Sequence, residues 1–168
     1  MIDPVCQLLW GKWRQPRKYH PLICHLLDVA SVAAALSPNH QAGLRKSSYF
    51  RTEESGLWSW VPFLISTHDL GKAAPAFQVH PGFSLTIVDA VRQRLAAAGL
   101  PCPIVPTPIR HGTITALVLP DLLCSSLVTD LDSARLFARI VAGHHGIFPT
   151  AADLSDAAMH PDSIGGEP

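Results

Sequence analysis

In "FLISTHDLGKAAPAFQ", Phe63 to Gln78, a histidine and an aspartate stand side by side at the end of an apolar stretch, with Gly71 and Lys72 close behind. A fold that takes His68 and Asp69 out of water must satisfy both, because burying either polar group alone is costly. Two solutions exist. One is a paired, hydrogen-bonded dyad in the core. The other is a metal, since imidazole and carboxylate are both ligands and a divalent cation offsets their desolvation. The other histidines bear on the choice.

There are nine histidines in the 168 residues, most of them in short apolar contexts. The chain is 48% hydrophobic and 15% charged, which fits one globular domain with a sizeable core and excludes a disordered one. Lys+Arg and Asp+Glu balance at 13 each, so no overall basic field marks a nucleic-acid binder. Phosphate contacts would have to be local, through residues such as Lys12, Arg14, Arg17 and Lys18. Cys6, Cys24, Cys102 and Cys124 form no C-x-x-C pair and read as reduced thiols of a cytoplasmic protein. Asp3, Pro4 and Gln7 interrupt any apolar leader at the N-terminus. No apolar run reaches the roughly 20 residues of a membrane span, so no membrane association is expected.

The periodicity is helical and the punctuation is proline. Pro21 suits the first turn of a helix to about Leu36, with Leu22, His25, Val29, Val32 and Leu36 on one face. Arg45 to Ser55 is polar and reads as an exposed connection. A helix from about Leu57 to His68 brings the dyad to its C-terminal end. Further helical patterns cover Ser84 to Ala98, Thr113 to Leu119 and Asp132 to about Gly143, and "GLPCPIVPTPIR" is a loop. No sustained alternation predicts a strand. Beyond Phe148 the pattern dissolves, so one domain over residues 1–150 and a loose tail over 151–168 are expected. The fold class is all-α, a bundle of about five to seven helices.

Four places on this framework present possible ligands. His25 lies on an apolar helix face, where a satisfied core histidine is the bland alternative. His68–Asp69 ends a helix, and His111 follows the rigid loop. His144 and His145 are neighbours, and helical neighbours diverge by about 100°, so both can face one site only at a helix terminus, where they are. Gly143 and Gly146 flank them and leave room for a ligand. Separate helices each delivering an imidazole or carboxylate resemble a metal centre in a helical bundle. Nitrogen and oxygen donors without cysteine suit Mn, Fe, Ni, Co or Zn. More than four candidate ligands suggest two ions, and a pair roughly 3.5–4 Å apart supports attack on phosphorus. Lys72 would then offer a point charge to a phosphate oxygen, unless it is simply a solvated lysine. The spacing alone points to a metal-dependent phosphohydrolase of unresolved substrate.

"LLWGKW", "YHPLICHLLDVASVA", "HDLGKAAPAFQ", "RHG" and "VAGHHG" occur in an order that resembles the HD nuclease domain of the type I CRISPR-associated helicase-nuclease, from about Leu8 to Phe148. The bare H…HD pattern indicates only the wider HD phosphohydrolase superfamily; "HDLGK" with "AFQ" and "GHHG" is more specific. The resemblance implies an HD-domain helical bundle with His25 as first metal ligand, His68 and Asp69 as the signature pair, and Asp69 bridging two ions. It gives His111, His144 and His145 to the second ion, and sets Lys72 beside the scissile phosphate. It leaves His20 between packing and substrate contact. It implies a divalent transition metal (Mn, Fe, Ni or Co, with Mg possible) and nicking and degradation of single-stranded DNA. The partners it implies are a helicase domain or chain of the same system and a crRNA-guided surveillance complex.

Two departures shape the expectation. Such domains continue into a helix with a final aspartate ligand, and among the late acids Asp153, Asp156, Asp162 and Glu167 none sits in an apolar helical pattern. No G-x-x-x-x-G-K-[ST] phosphate loop is present. The alternatives are therefore a nucleotide-directed phosphohydrolase, or a chain ending early that folds but holds its metals incompletely.

Overall fold

The computed structural model describes residues 3–15, 18–44, 57–80, 82–100, 102–127 and 130–166. The side chains of 14, 15, 18, 37–44, 57–59 and 127 fall outside the description, as does the whole polar connection expected over Arg45 to Ser55.

Helices dominate. After the N-terminal hairpin come α1 (Leu22–Leu44), α2 (Leu57–Ser66), a 3-10 turn (Thr67–Ala73) and α3 (Pro75–Gln78). The chain continues through α4 (Leu85–Ala97), α5 (His111–Leu127), α6 (Leu131–Ala142), α7 (Ala151–Ala158) and α8 (Pro161–Ile164). The all-α expectation holds, and among the described residues α3 and α8 are single turns of four residues beside six longer helices.

The hairpin itself is a departure from the sequence expectation. β1 (Trp10–Gln15) pairs antiparallel with β2 (Lys18–Pro21), with Trp13 opposite Tyr19. Strands of six and four residues with an irregular register leave almost no alternation to detect. Aromatic packing and one glutamine hold the hairpin down. The Trp10 ring lies 4.4 Å from that of Phe77 and 5.1 Å from that of Phe83. Gln78 Oε1 accepts from the Trp10 backbone N–H at 3.1 Å, while its Nε2 donates to the carbonyls of Trp10 (3.0 Å) and Lys72 (2.7 Å). One buried amide thus joins the hairpin to the turn that carries His68 and Asp69.

α5 is the central element, packed on α6, on the 3-10 turn and on α7. It starts two residues earlier and runs eight further than the Thr113–Leu119 pattern predicts. Proline usually breaks a helix interior, but Leu119 and Leu123, each 1% exposed, bury the stretch around Pro120 and carry the helix through it. On α6 an alanine stripe, Ala134, Ala138 and Ala142, is buried and lets the two helices approach closely. A Cβ on Gly112 would lie 2.6 Å from the Ala142 carbonyl oxygen.

Two further expectations change. The α1 stripe divides: Leu22 and His25 are buried, whereas Val32 (59%) and Leu36 (49%) are exposed. The loose tail is replaced, through residue 166, by packed structure. Thr150 and Asp153 form a capping box that starts α7, Ala157 is buried, and Ile164 joins a core cluster with Ala74, Ala76 and Ile114. Ser163 Oγ accepts from the Thr107 backbone N–H at 2.8 Å. A few small side chains anchor this segment, too few to produce a visible periodicity. Among the described residues no helix is long and apolar enough to cross a membrane.

Candidate metal centre

α2 ends at Ser66, so His68 and Asp69 sit in the 3-10 turn beyond it and not in the helix itself. Gly71 allows that turn to press against α5, because a Cβ there would collide with the His111 carbonyl oxygen. The Gly71 N–H donates to Thr115 Oγ1 at 2.9 Å, and the Thr115 hydroxyl reaches the His68 carbonyl at 3.4 Å. These contacts set the turn against the first helical residue of α5, His111. His144 and His145 arrive from just past the C-terminal end of α6, where Gly146 takes φ +78°. His25 comes from the buried end of α1.

All of these side chains meet at Asp69. Its carboxylate, 4% exposed, has two differently surrounded oxygens. Oδ2 lies 2.9 Å from His25 Nε2, 3.2 Å from His68 Nε2 and 2.7 Å from Lys72 Nζ. Oδ1 lies 3.2 Å from His111 Nε2 and 3.4 Å from His144 Nε2, yet it is buried without an aligned hydrogen-bond partner. Two potential ligand groups result, His25 with His68 and Asp69, and Asp69 with His111, His144 and His145. Within each group one ligand atom per residue lies within 4.8 Å of the others.

The tautomers make a cation's place. His68 Nδ1 donates to the Ile65 carbonyl at 2.9 Å, and His144 Nδ1 donates to the Val141 carbonyl at 3.0 Å. A carbonyl only accepts, so in the neutral imidazoles each Nε2 carries a lone pair, that of His68 toward Oδ2 and that of His144 between Oδ1 and His111 Nε2, which lies 3.3 Å away. Lone pairs facing an anion at such distances repel unless a cation lies among them, and backbone-held imidazoles are the usual supporting arrangement for metal ligands. Burial pulls the pKa values of His25 and His144 down, which keeps these rings neutral. Burial pushes the Asp69 carboxyl up, but a hydrogen bond from His111 and the Lys72 ammonium outweigh it and hold Asp69 ionised, far below the usual carboxylate range. The donor set therefore fits divalent metal.

A family model described as "Cas3, HD domain" matches residues 10–167. The chain belongs to that family. A CRISPR-associated endonuclease/helicase Cas3 of Thermus thermophilus is 32% identical over 162 residues, covering 95% of this chain and 16% of the relative. A solved structure described as a crystal structure of CRISPR-associated protein superposes with a TM-score of 0.77 at 31% identity, covering 95% of this chain and 17% of that one. The chain thus spans about a sixth of the length of the relatives it matches.

In this Cas3 HD domain the structure gathers His25, His68, Asp69, His111, His144 and His145, with Lys72 beside them. His20 stands apart. It pairs with Asp28 at 3.0 Å, its ring 6.3 Å from that of His25, and it lines a groove of about 680 Å³. Lys12 and Tyr19 flank His20 in that groove, Val29, Val32 and Leu36 form its apolar wall, and His25 is common to groove and metal centre. A smaller cleft of about 170 Å³ is lined in part by Arg110, His111 and His145. Of the basic residues expected on the N-terminal face, Arg14, Arg17 and Lys18 have side chains outside the description. Gly143 has a role different from the one expected. Its missing side chain makes room for the Phe148 ring, not for a ligand. Thr115, Gln78 and Phe77 support the centre without being apparent from spacing; only the "AFQ" within the HD stretch hinted at the last two.

Proposed function

We propose that this HD domain is a metal-dependent nuclease that nicks and degrades single-stranded DNA in type I CRISPR interference, an antiviral defence. One observation carries the reading: the two oxygens of Asp69 face two separate sets of imidazoles. We assign His25, His68 and Asp69 to one ion, and Asp69, His111, His144 and His145 to the other. Imidazole and carboxylate donors suit Mn, Fe, Ni or Co, with Mg possible. Such ions supply Lewis acidity and charge neutralisation for attack of water on a phosphodiester.

The remaining work falls to the chain itself. Lys72 offers its ammonium to a phosphate oxygen as a compact charge. His20 and Lys12, on the groove that shares His25 with the centre, contact the approaching strand. The groove that reaches His25 and the cleft that reaches His111, His145 and Arg110 favour a strand running across the centre over a free nucleotide enclosed in a pocket. Delivery of that strand falls to a helicase domain or chain of the same system, recruited by a crRNA-guided surveillance complex in the cytoplasm. The Thermus relative's description as an endonuclease/helicase supports this pairing.

The test is direct. With Mn²⁺ added, the chain cuts single-stranded oligonucleotides without sequence preference and without ATP, and cuts duplex poorly. Rapid hydrolysis of free nucleotides with oligonucleotides left intact would replace this reading with a nucleotide phosphohydrolase.

A further inference from the structure

We infer that the Lys72 ammonium is a built-in occupant of the Oδ2 side of Asp69, so that the two metal positions load unequally: the Oδ1 side first, and the Oδ2 side only once Lys72 swings away. The inference rests on the two-metal reading of the site.

Lys72 Nζ makes the shortest contact of the carboxylate, 2.7 Å, with the same oxygen that faces His25 and His68. A positive charge therefore already stands where a metal would share Oδ2. The other side offers the opposite situation. Oδ1 is buried with no ammonium beside it, only His111 Nε2 at 3.2 Å and His144 Nε2 at 3.4 Å, and its ligand group holds three imidazoles against two in the other. Asp69 is the single carboxylate in either group, so two divalent ions and an ammonium together would meet only one negative charge. Like charges at such separations repel strongly in a buried site. Either the ammonium leaves or the second ion stays out.

The geometry provides a way to leave. The Lys72 backbone carbonyl is pinned by Gln78 Nε2, so the stem stays fixed while the side chain pivots. With Nζ on Asp69 the Phe77 ring already lies 5.3 Å from it, an aromatic face the ammonium keeps as it shifts off the carboxylate. A phosphate arriving with the strand would draw the same charge off Asp69. Lys72 thus exchanges one anion for another, and the second metal position opens as substrate arrives.

The experiment is a Mn²⁺ titration of the metal-stripped chain by calorimetry, with bound metal counted after equilibrium dialysis and folding checked by circular dichroism. The expected wild-type result is one tight step of one ion per chain and a distinctly weaker second step. Lys72→Met, which keeps the length and removes the charge, should tighten the second step about tenfold or more and leave the first unchanged. Lys72→Arg, which keeps the charge, should retain the weak second step. His145→Ala should weaken the first step. Equal steps in the wild type, or a second step indifferent to Lys72→Met, would overturn the inference while leaving a two-metal centre standing. No Mn²⁺ uptake by the folded wild type would overturn the metal reading beneath it.

Discussion

Gln78 holds Trp10 by both its backbone N–H and its backbone carbonyl, across 68 positions of sequence, and the Trp10 indole N–H donates back to the Gln78 carbonyl at 3.0 Å. The same amide also takes the Lys72 carbonyl. At 1% exposure, Gln78 leaves no water to replace any of these bonds. Gln78→Ala is therefore expected to destabilise the domain by on the order of 2–4 kcal/mol in urea denaturation, since it strands several buried backbone groups. Gln78→Glu should be no better. A carboxylate cannot donate to the two carbonyls that Nε2 now satisfies. A glutamate variant as stable as the wild type would show that the amide only fills space.

Asp69 and Lys72 touch each other and yet should fail differently. Asp69 takes part in both ligand groups, so Asp69→Ala is expected to abolish metal uptake and cleavage together. On the proposed reading, Lys72→Ala removes a charge that would stand beside the phosphate and leaves every donor in place. It should keep metal bound and slow cleavage by roughly 10²–10³, the usual effect of losing one electrostatic stabiliser. Metal analysis alongside a single-turnover cleavage assay separates the two. Loss of all metal in Lys72→Ala would make Lys72 part of the centre's framework.

At the start of α7, Thr150 donates its backbone N–H and its hydroxyl to Asp153 Oδ2, at 2.8 and 2.6 Å. These bonds lower the Asp153 pKa below its ordinary 3.8. A depressed carboxylate contributes stability that is fully present above 3.8 and is lost as pH falls through the lowered folded value. Asp153→Asn keeps an acceptor but removes the charge. Its melting temperature should lie below wild type at pH 7, and the gap should close as the pH falls below about 4. A gap independent of pH would show that the charge is irrelevant to the cap.

That capping box also marks where the sequence was legible and where it was not. The "TAAD" at Thr150–Asp153 is a helix-start pattern, a threonine with an acid three residues on. The residues after it are mostly small and polar, so a periodicity reading passes over the pattern and expects a tail. His144–His145 was readable for the opposite reason: two adjacent imidazoles can share a site only beyond a helix end, and α6 stops at Ala142. Burial of His25 and Asp69 could be anticipated from their apolar neighbours. The division of the ligands between Oδ1 and Oδ2 could not, because it depends on how closely Gly71 lets the 3-10 turn approach α5. Nor could the hairpin, whose strands are held by long-range contacts to Phe77 and Gln78 more than by their own pattern.

His20 provides the separation between holding metal and holding strand. It belongs to neither ligand group, is held at 3.0 Å by Asp28, and faces the groove with Lys12 and Tyr19. His20→Ala should therefore leave Mn²⁺ uptake unchanged while raising KM for a single-stranded oligonucleotide a few-fold, as expected for one hydrogen bond worth about 0.5–1.5 kcal/mol. The rate at saturation should change less than KM, because the reacting phosphate would lie at Asp69 and Lys72, beyond His20. Lys12→Ala should also raise KM, and should make it less sensitive to salt, since a lysine that neutralises a phosphate releases a counterion on binding. Steady-state cleavage at two ionic strengths, paired with metal analysis, gives all of these readouts. If His20→Ala lost its metal instead, the ring would have to be counted among the ligands, and the groove would no longer be independent of the centre.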